Sequence, residues 1–191
     1  MVDIKKVFFE CGALFEGHFL LSSGLHSSCY MQSAKVLQNP KNAEMFGELI
    51  AEKIKEIGLI PDLVVAPAMG GLIVGHEVAR ALGLDFVFTE RVEGQMTIRR
   101  GFKIEEGMKI LIVEDVFTTG KSTREVIDLI NSNKAQVIGC ASIVDRSGGQ
   151  VDFGMPKISL LTLDIKNYEP NDCPLCKEGL PVEKPGSRKI F

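Results

Sequence analysis

The sequence predicts an α/β fold in which a central, mostly parallel sheet is flanked by helices. Two observations favour this fold: short runs of apolar residues recur along the chain, and stretches with helical spacing separate them. Strands buried on both faces have continuous apolar sequences, and strands that alternate with helices form parallel sheets. The length of 191 residues suits one domain, which we expect to span residues 1–191.

The N-terminal third contains helical and loop-like patterns. Residues 3–15 have an apolar stripe at helical spacing, which predicts a helix. The segment from Gly17 to Tyr30 is rich in serine and glycine, which indicates loops around short extended pieces. Asn39-Pro40 resembles an N-cap followed by proline at the first helical position, and Gly58 is a natural end for the helix that begins there.

Five apolar runs predict the strands of the sheet, namely Leu63–Ala66, Phe86–Phe88, Ile110–Val113, Val137–Val144 and Ile158–Leu163. Helices are expected from Gly70-Gly71 to Gly83 and from Thr118 to Asn131. The stretch from Thr89 to Glu106 is polar. The tail, residues 168–191, holds four of the eight prolines and is predicted to be irregular.

Composition excludes several classes of protein. The net charge of -3 shows no basic surplus of the kind that binds nucleic acid. No apolar run approaches the length of a transmembrane helix, so we expect no membrane partner. The first ten residues lack the pattern of a signal peptide, and the five cysteines are odd in number. Both features predict a reduced, cytoplasmic protein.

The segment from Ile110 to Thr123 carries the clearest chemical signal. An apolar strand ends in Glu114 and Asp115, and a turn of small residues then leads into a helix. Backbone N–H groups and hydroxyls at a helix start bind phosphate. Carboxylates repel phosphate, but they accept hydrogen bonds from a sugar diol. The segment therefore predicts a cradle for ribose 5-phosphate.

A nucleotide-binding P-loop is the alternative that this segment first suggests. Gly120-Lys121-Ser122 matches the end of the Gly-x-x-x-x-Gly-Lys-Ser/Thr motif. The first glycine of that motif falls at position 115, which is aspartate here. The mismatch argues against a P-loop, and a plain strand-to-helix turn is the remaining structural alternative.

This segment resembles the ribose-phosphate signature of the type I phosphoribosyltransferases, whose fold is a mostly parallel sheet with a small N-terminal hood. Here the hood corresponds to residues 1–38. Further segments occur in the order seen in orotate phosphoribosyltransferases: Phe19–Gly24, Ala66–Gly71, Thr89–Arg91 and Ile143–Arg146. The resemblance implies transfer of a phosphoribosyl group from 5-phosphoribosyl-1-pyrophosphate to orotate, with Mg²⁺ held mainly by substrate.

The resemblance also implies roles for individual residues. Those that would bind the phosphoribosyl donor are Ala68, Met69, Gly70, Arg91, Glu114, Asp115, Val116, Phe117, Thr118, Thr119, Gly120, Lys121 and Ser122. Those that would contact orotate are Ser22, Tyr30, Thr118 and Arg146, and the catalytic candidates are Arg99, Arg100 and Asp115. A guanidinium such as that of Arg146 pairs bidentately with a carboxylate, and orotate has a carboxylate that uracil lacks. A surface arginine beside Asp145 is the alternative.

Residues 91–103 are expected to form a lid over the pyrophosphate, since they hold four basic residues against Glu93. Gly94 and Gly101 bracket the stretch as possible hinges, and a solvated hairpin is the alternative. The sequence departs from the family pattern in three places. Residues 92–97 lack the usual lysines and histidine, Ser22 stands at a common lysine, and Tyr30-Met31 replaces a Phe-Phe pair.

Cys173-Pro-Leu-Cys176 is half of a zinc site, and no second Cys-x-x-Cys pair follows it. A structural zinc ion, a redox role and a tail without function all stay open, as does a four-cysteine site shared by two tails. Cys11 and Cys140 are interpreted as small core residues, and His76 as an ordinary helix histidine.

The sequence therefore predicts an orotate phosphoribosyltransferase. A purine phosphoribosyltransferase is the nearest rival, and a non-catalytic sensor of the phosphoribosyl donor is the alternative from another class. The implied partners are the small-molecule substrates and a second copy of the chain, because the family's lid reaches a neighbouring subunit's site.

Overall fold

The computed structural model describes residues 2–21 and 24–184. The α-helices are α1 (Ile4–Glu10), α2 (Ser33–Leu37), α3 (Pro40–Glu56), α4 (Gly71–Leu82), α5 (Lys121–Ser132) and α6 (Pro174–Lys177). The strands are β1 (Leu14–Leu20), β2 (His26–Met31), β3 (Leu63–Pro67), β4 (Asp85–Val92), β5 (Gln95–Ile98), β6 (Lys109–Phe117), β7 (Gln136–Asp145), β8 (Lys157–Thr162) and β9 (Asn167–Tyr168).

The chain divides into two compact units. One unit combines residues up to Val36 with residues from Asp164 onward, and the other spans Leu37–Leu163. No helix in the described part of the chain is long and apolar enough to cross a membrane.

The larger unit contains a six-stranded sheet with the order β5-β4-β3-β6-β7-β8. All neighbouring pairs are parallel except β4 and β5, which form an antiparallel hairpin at one edge. This arrangement confirms the predicted α/β class and its mostly parallel sheet. The predicted strands are all present, although β4 and β6 extend further than their apolar cores.

Both faces of this sheet are covered by helices. Val65, Ile110 and Ile112 are fully buried in a core that also includes Val126 and Ile130 of α5. Neighbouring residues of a strand point to opposite faces. Ala66 therefore faces the other side, where a Cβ on Gly75 of α4 would lie only 2.9 Å from the Ala66 Cβ.

Local signals explain where the helices of this unit begin and end. The Asn39 side chain accepts a hydrogen bond from the Lys41 N–H, and Pro40 opens α3 as predicted. Gly83 ends α4 with a left-handed backbone, at φ 72°. Such a conformation is free of steric cost only for glycine.

The smaller unit contains a three-stranded antiparallel sheet with the order β1-β2-β9. The predicted helix over 3–15 was wrong beyond its first half, because α1 ends at Glu10 and Leu14 and Phe15 already belong to β1. The apolar stripe continues across this junction, so spacing alone did not mark it.

The tail is less irregular than predicted. It contributes β9, a 3₁₀ turn over Pro170–Asp172 and the short helix α6. The Leu20 N–H also donates to the Glu183 carbonyl at 2.8 Å, and the Glu183 N–H donates to the His18 carbonyl at 2.8 Å. Residues 185–191 lie outside the described part of the chain.

Candidate active site

The sheet order places a topological switch point between β3 and β6. From β3 the chain crosses to β4 on one side, and it later returns to β6 on the other side. Ligands of open parallel sheets bind at such a point, outside the carboxyl ends of the strands. Two loops leave the sheet here, namely residues 68–70 after β3 and residues 118–120 after β6.

The loop after β6 leads directly into the first turn of α5. Gly120 is the N-cap residue, at φ 73°, and no side chain caps the helix. An α-helix leaves its first N–H groups without partners inside the helix, and its dipole is positive at that end. Thr118 and Thr119 are exposed in front of it. This arrangement supplies backbone donors and hydroxyls to an anion.

Arg124, in the first turn of α5, links this loop to the segment around Asp152. Its guanidinium donates to the Thr119 carbonyl at 2.6 Å and to the Asp152 carbonyl at 2.8 Å. It also lies over the Phe153 ring, with its Cζ 5.3 Å from the ring centroid. The loop is thereby held by contacts from a segment distant in sequence.

The two carboxylates at the end of β6 occupy different environments. Glu114 is buried, and its Oε2 accepts a hydrogen bond from the Ser122 hydroxyl at 3.1 Å. Burial and the neighbouring charge of Asp115 raise the pKa of Glu114 to about 8, although the Ser122 bond acts in the opposite direction. Asp115 is half-buried, and its Oδ1 accepts from the Val116 N–H at 2.9 Å. Glu114 is therefore mostly protonated at neutral pH.

The loop after β3 lies against Asp115. A Cβ on Gly70 would come within 2.5 Å of the Asp115 Oδ1, so only glycine fits there. A Cβ on Gly71 would lie 2.8 Å from the Val113 carbonyl oxygen, which explains the close approach of α4 to β6. The Ala68–Met69 peptide bond is cis, and the Met69 side chain is exposed. The loop after β3 is thus packed against the end of β6.

Arg146 follows β7, next to the same edge. Its N–H donates to the Phe117 carbonyl at 2.8 Å, which places it beside Thr118 at the neighbouring strand end. The carboxylate of Asp145 is bonded to Lys157 at 2.6 Å and to the Ser147 hydroxyl at 2.6 Å. Asp145 is buried, which raises the pKa of its carboxyl, but the bonds from Lys157 and Ser147 outweigh burial and lower it overall.

The cations of the predicted lid lie on the β4–β5 hairpin and just after it. Glu93 and Gly94 form its two-residue turn, with φ of 49° and 86°. Arg91 pairs with Glu125 of α5. The Arg100 guanidinium donates twice to Glu90, at 2.7 and 3.0 Å. Part of the segment therefore forms a hairpin, which was the alternative that the sequence analysis gave. A hairpin can also act as a lid.

Comparison with known proteins identifies the family. Residues 32–175 match the phosphoribosyl transferase domain family. The orotate phosphoribosyltransferase of Carboxydothermus hydrogenoformans is 52% identical over 98% of each chain. That of Thermotoga maritima is 51% identical, over 98% of this chain and 99% of its own. The chain belongs to the orotate phosphoribosyltransferase family.

Solved structures agree with this assignment. The crystal structure of orotate phosphoribosyltransferase from Aeropyrum pernix has a TM-score of 0.73 and 26% identity, covering 84% of this chain and 94% of that chain. The adenine phosphoribosyltransferase of Thermoanaerobacter pseudethanolicus has a TM-score of 0.62 at 22% identity and shares the fold. The predicted type I phosphoribosyltransferase fold is thus confirmed.

In this orotate phosphoribosyltransferase family member, the larger unit carries all the predicted site residues except Ser22 and Tyr30. The loop after β3 lies against Asp115 near the end of β6, and the Arg146 N–H donates to Phe117 at that same end. Tyr30 lies half-buried on β2 of the smaller unit, and Ser22 lies outside the described residues. Sequence reasoning missed Arg124 and Lys157, because their importance comes from partners far along the chain.

Proposed function

We propose that this chain transfers the 5-phosphoribosyl group from 5-phosphoribosyl-1-pyrophosphate to orotate, in the biosynthesis of pyrimidine nucleotides. A ring nitrogen of orotate would lose its proton and bond to C1′ of the ribose as the C1′–O bond to pyrophosphate breaks. The observation that supports this best is the pair of loops at the switch point, in a chain about half identical to curated orotate phosphoribosyltransferases.

The loop after β6 is proposed to bind the ribose 5-phosphate. Backbone N–H groups of residues 118–122 and the hydroxyls of Thr118 and Thr119 would surround the phosphate at the helix N-terminus. Glu114 and Asp115 would bind the ribose hydroxyls. A protonated Glu114 both donates and accepts hydrogen bonds, which suits a diol better than a pair of charged carboxylates does.

Orotate is proposed to bind beside Thr118 and Arg146. The Arg146 guanidinium would pair with the orotate carboxylate. Because Asp145 is bonded to Lys157 and Ser147, its charge is already compensated from the other side. Tyr30 and Ser22 remain predicted orotate contacts.

The pyrophosphate is proposed to lie between the loop after β3 and the hairpin cations. Arg99 and Lys103 are exposed, and neither forms an ion pair with another described residue, unlike Arg91 and Arg100. They are therefore the cations most available to the leaving group, which gains negative charge in the transition state. A closed hairpin would also exclude water from the reacting carbon.

Mg²⁺ is the proposed cofactor. Its preferred ligands are oxygens of carboxylates and substrate phosphates. Asp115 places carboxylate oxygens at the end of β6, beside the proposed ribose site. Asp115 fits as a protein ligand, with most of the coordination coming from the substrate. When bound, Mg²⁺ supplies positive charge to the departing pyrophosphate.

A cytoplasmic homodimer is the proposed form of the enzyme, with the hairpin of one subunit reaching the site of the other. The sequence resemblance supports the dimer. All five cysteines are free thiols, which suits a reducing compartment.

A spectrophotometric assay of orotate consumption tests this function, with the phosphoribosyl donor and Mg²⁺ present. Turnover of hypoxanthine or guanine without loss of orotate would contradict it, as would donor binding without any turnover.

The same assay tests the role of Arg146. We expect Arg146→Ala to raise the KM for orotate by about 10–100-fold, the value of a charged hydrogen bond, and to change the KM for the donor little. Arg146→Lys keeps the charge but lacks the planar fork of the guanidinium. Its KM for orotate should lie between those of the wild type and Arg146→Ala. Equal effects on both KM values would place Arg146 outside the orotate site.

A further inference from the structure

Four side chains of types that bind metal ions lie close together in the smaller unit. The loops proposed to bind the phosphoribosyl donor belong to the other unit. The four side chains are those of His18, His26, Cys173 and Cys176, and their ligand atoms all lie within 4.8 Å of one another. We propose that these four residues bind one Zn²⁺ ion and that the ion fastens the C-terminal segment to the β1–β2 hairpin.

Three elements place the ligands. His18 on β1 and His26 on β2 come from antiparallel neighbours whose register pairs Leu20 with His26. Cys173 is the N-cap residue of α6, and Cys176 lies within that helix. Side chains three residues apart in a helical turn share one face, so both sulfurs point in the same direction.

The separations fit a tetrahedral ion. Zinc bonds of about 2.3 Å to sulfur and 2.0–2.1 Å to nitrogen place S and N ligand atoms about 3.6 Å apart. Sγ of Cys173 lies 3.5 Å from Nε2 of His18, and Sγ of Cys176 lies 3.7 Å from it. Sγ of Cys176 also lies 3.3 Å from Nδ1 of His26.

The two histidines are closer than zinc requires. Nε2 of His18 lies 2.8 Å from Nδ1 of His26, whereas two nitrogens on one tetrahedral ion lie about 3.3 Å apart. Binding therefore needs the rings to separate by about half an ångström, a small movement for side chains.

The hydrogen bond behind His18 orients its lone pair toward the sulfurs. Nδ1 of His18 lies 2.8 Å from the Leu180 carbonyl oxygen, which only accepts, so Nδ1 carries a proton. In the neutral ring, Nε2 then carries a lone pair and no proton, as a zinc ligand must, and Nε2 is the atom that faces Cys173 and Cys176. A backbone carbonyl behind a ligating histidine is a common feature of zinc sites.

Charge and burial also favour zinc. His18, His26 and Cys173 are buried, while Cys176 is exposed and leaves a route for the ion to enter. Two thiolates balance the charge of Zn²⁺, so the loaded site is neutral. Two sulfurs and two nitrogens form a closed tetrahedral set with no open position, which is typical of structural zinc and not of catalytic zinc.

The site joins parts of the chain that are distant in sequence. The structure between His26 and Cys173 includes the whole of the larger unit. Up to residue 184, the C-terminal segment contains only short elements: β9 has two residues, the 3₁₀ turn has three and α6 has four. Binding energy at a metal site of this kind contributes directly to folding.

Metal analysis of the full-length protein, purified with reduced thiols and without metal-affinity steps, tests the proposal. We expect about one zinc ion per chain, and at least about tenfold weaker affinity for Zn²⁺ in Cys173→Ser and His26→Gln. Cys11→Ala is the matched control, because Cys11 lies in the same unit outside the cluster, and it should keep its zinc.

Substitution by Co²⁺ in the wild-type protein gives a second readout that does not depend on the folding of a variant. Tetrahedral coordination with thiolate should produce intense visible absorption that Zn²⁺ abolishes. Absence of zinc and cobalt binding would overturn the proposal, as would a Cys173–Cys176 disulfide that persists in the presence of a thiol reductant. One ion per two chains would point instead to a site shared by two tails.

Discussion

At the scale of single residues, Glu114 combines burial with a neighbouring like charge. Its pKa of about 8 means that the folded chain holds a proton that the unfolded chain releases near pH 4.5. The contribution of this proton to the stability of the folded chain is complete below pH 4.5, the ordinary pKa of glutamate. It is lost as the pH rises through the folded pKa of about 8.

Glu114→Gln replaces the titrating group with a neutral one of the same shape. We therefore expect the Tm of the variant, relative to wild type, to rise between pH 5 and pH 9, measured without added Mg²⁺. Asp128→Asn, on the exposed side of α5, is the control and should show no such trend. A constant difference in Tm would show that Glu114 ionises normally.

Lys157 holds the segment that carries Arg146. Its Nζ donates to the Asp145 carboxylate at 2.6 Å and to the carbonyls of Gly149 and Val151 at 3.1 and 2.6 Å. Lys157→Met leaves a buried carboxylate without its cation, which costs about 3–5 kcal/mol.

The cost of Lys157→Met should depend on pH. Because the pKa of Asp145 is lowered in the fold, its stabilisation is present above the ordinary aspartate pKa and is lost as the pH falls below it. Urea unfolding at pH 7 and pH 3.5 should show a smaller difference at the lower pH. The double variant with Asp145→Asn should recover much of the loss. Failure to do so would show that Lys157 stabilises the fold through its carbonyl hydrogen bonds or its packing, and not through the charge of Asp145.

At the scale of elements, the strand–turn–helix formed by β6, residues 118–120 and α5 depends on one glycine. Gly120 has φ of 73°, and a Cβ there would lie within 2.9 Å of Arg124, Val151 and Phe153 atoms. Gly154 has a similar φ of 71° with nothing within 4 Å of its Cβ position.

The two glycines make a matched pair for substitution. Gly154→Ala should cost about 1–2 kcal/mol, the strain of a left-handed alanine. Gly120→Ala should cost at least about 1 kcal/mol more, because it overpacks the site, and it should also weaken binding of the phosphoribosyl donor. Denaturant unfolding measures the loss of stability, and titration calorimetry measures donor binding. Equal losses of stability in the two variants would mean that the side chains around Gly120 move to accommodate the added Cβ.

The elements that the sequence predicted well have strong local signals. The start of α3 has an N-cap and a proline, the end of α4 has a glycine, and β6 has a continuous apolar run. The end of α1 also has a glycine, Gly12 at φ 58°, but the apolar spacing continues from α1 into β1 and hid that signal.

Parts of the site were predictable for the same reason. The cradle residues are contiguous in sequence, so one segment revealed them. The cluster of His18 and His26 with Cys173 and Cys176 was not predictable. Strand pairing and the return of the C-terminal segment bring together residues about 150 positions apart in sequence. The two histidines carry no spacing signal of their own.

At the scale of the whole molecule, the two units differ in how they are stabilised. The larger unit has central strands with fully buried residues on β3, β6 and β7. The smaller unit has a sheet of three strands, and we propose that a metal ion contributes to its stability. Regions with few buried apolar contacts open most readily.

Hydrogen exchange should separate the two units. Removing zinc with a chelator should accelerate amide exchange in β1, β2 and β9 and leave β3, β6 and β7 nearly unchanged. Mass spectrometry of peptic fragments resolves these segments. Equal acceleration in all six strands would mean that the chain opens as a single cooperative body.

The β4–β5 hairpin also has a mechanical consequence. Its four residue pairs, from Thr89 with Ile98 to Val92 with Gln95, make it a stiff arm about 10 Å long. A rotation of about 25° at its base would carry the tip through about 4 Å without changing the spacing of the side chains along it. In the proposed lid, Arg91 lies on this arm and Arg99, Arg100 and Lys103 follow it directly. Movement of the arm would then shift these cations together, and its rate of opening would set how long pyrophosphate stays bound.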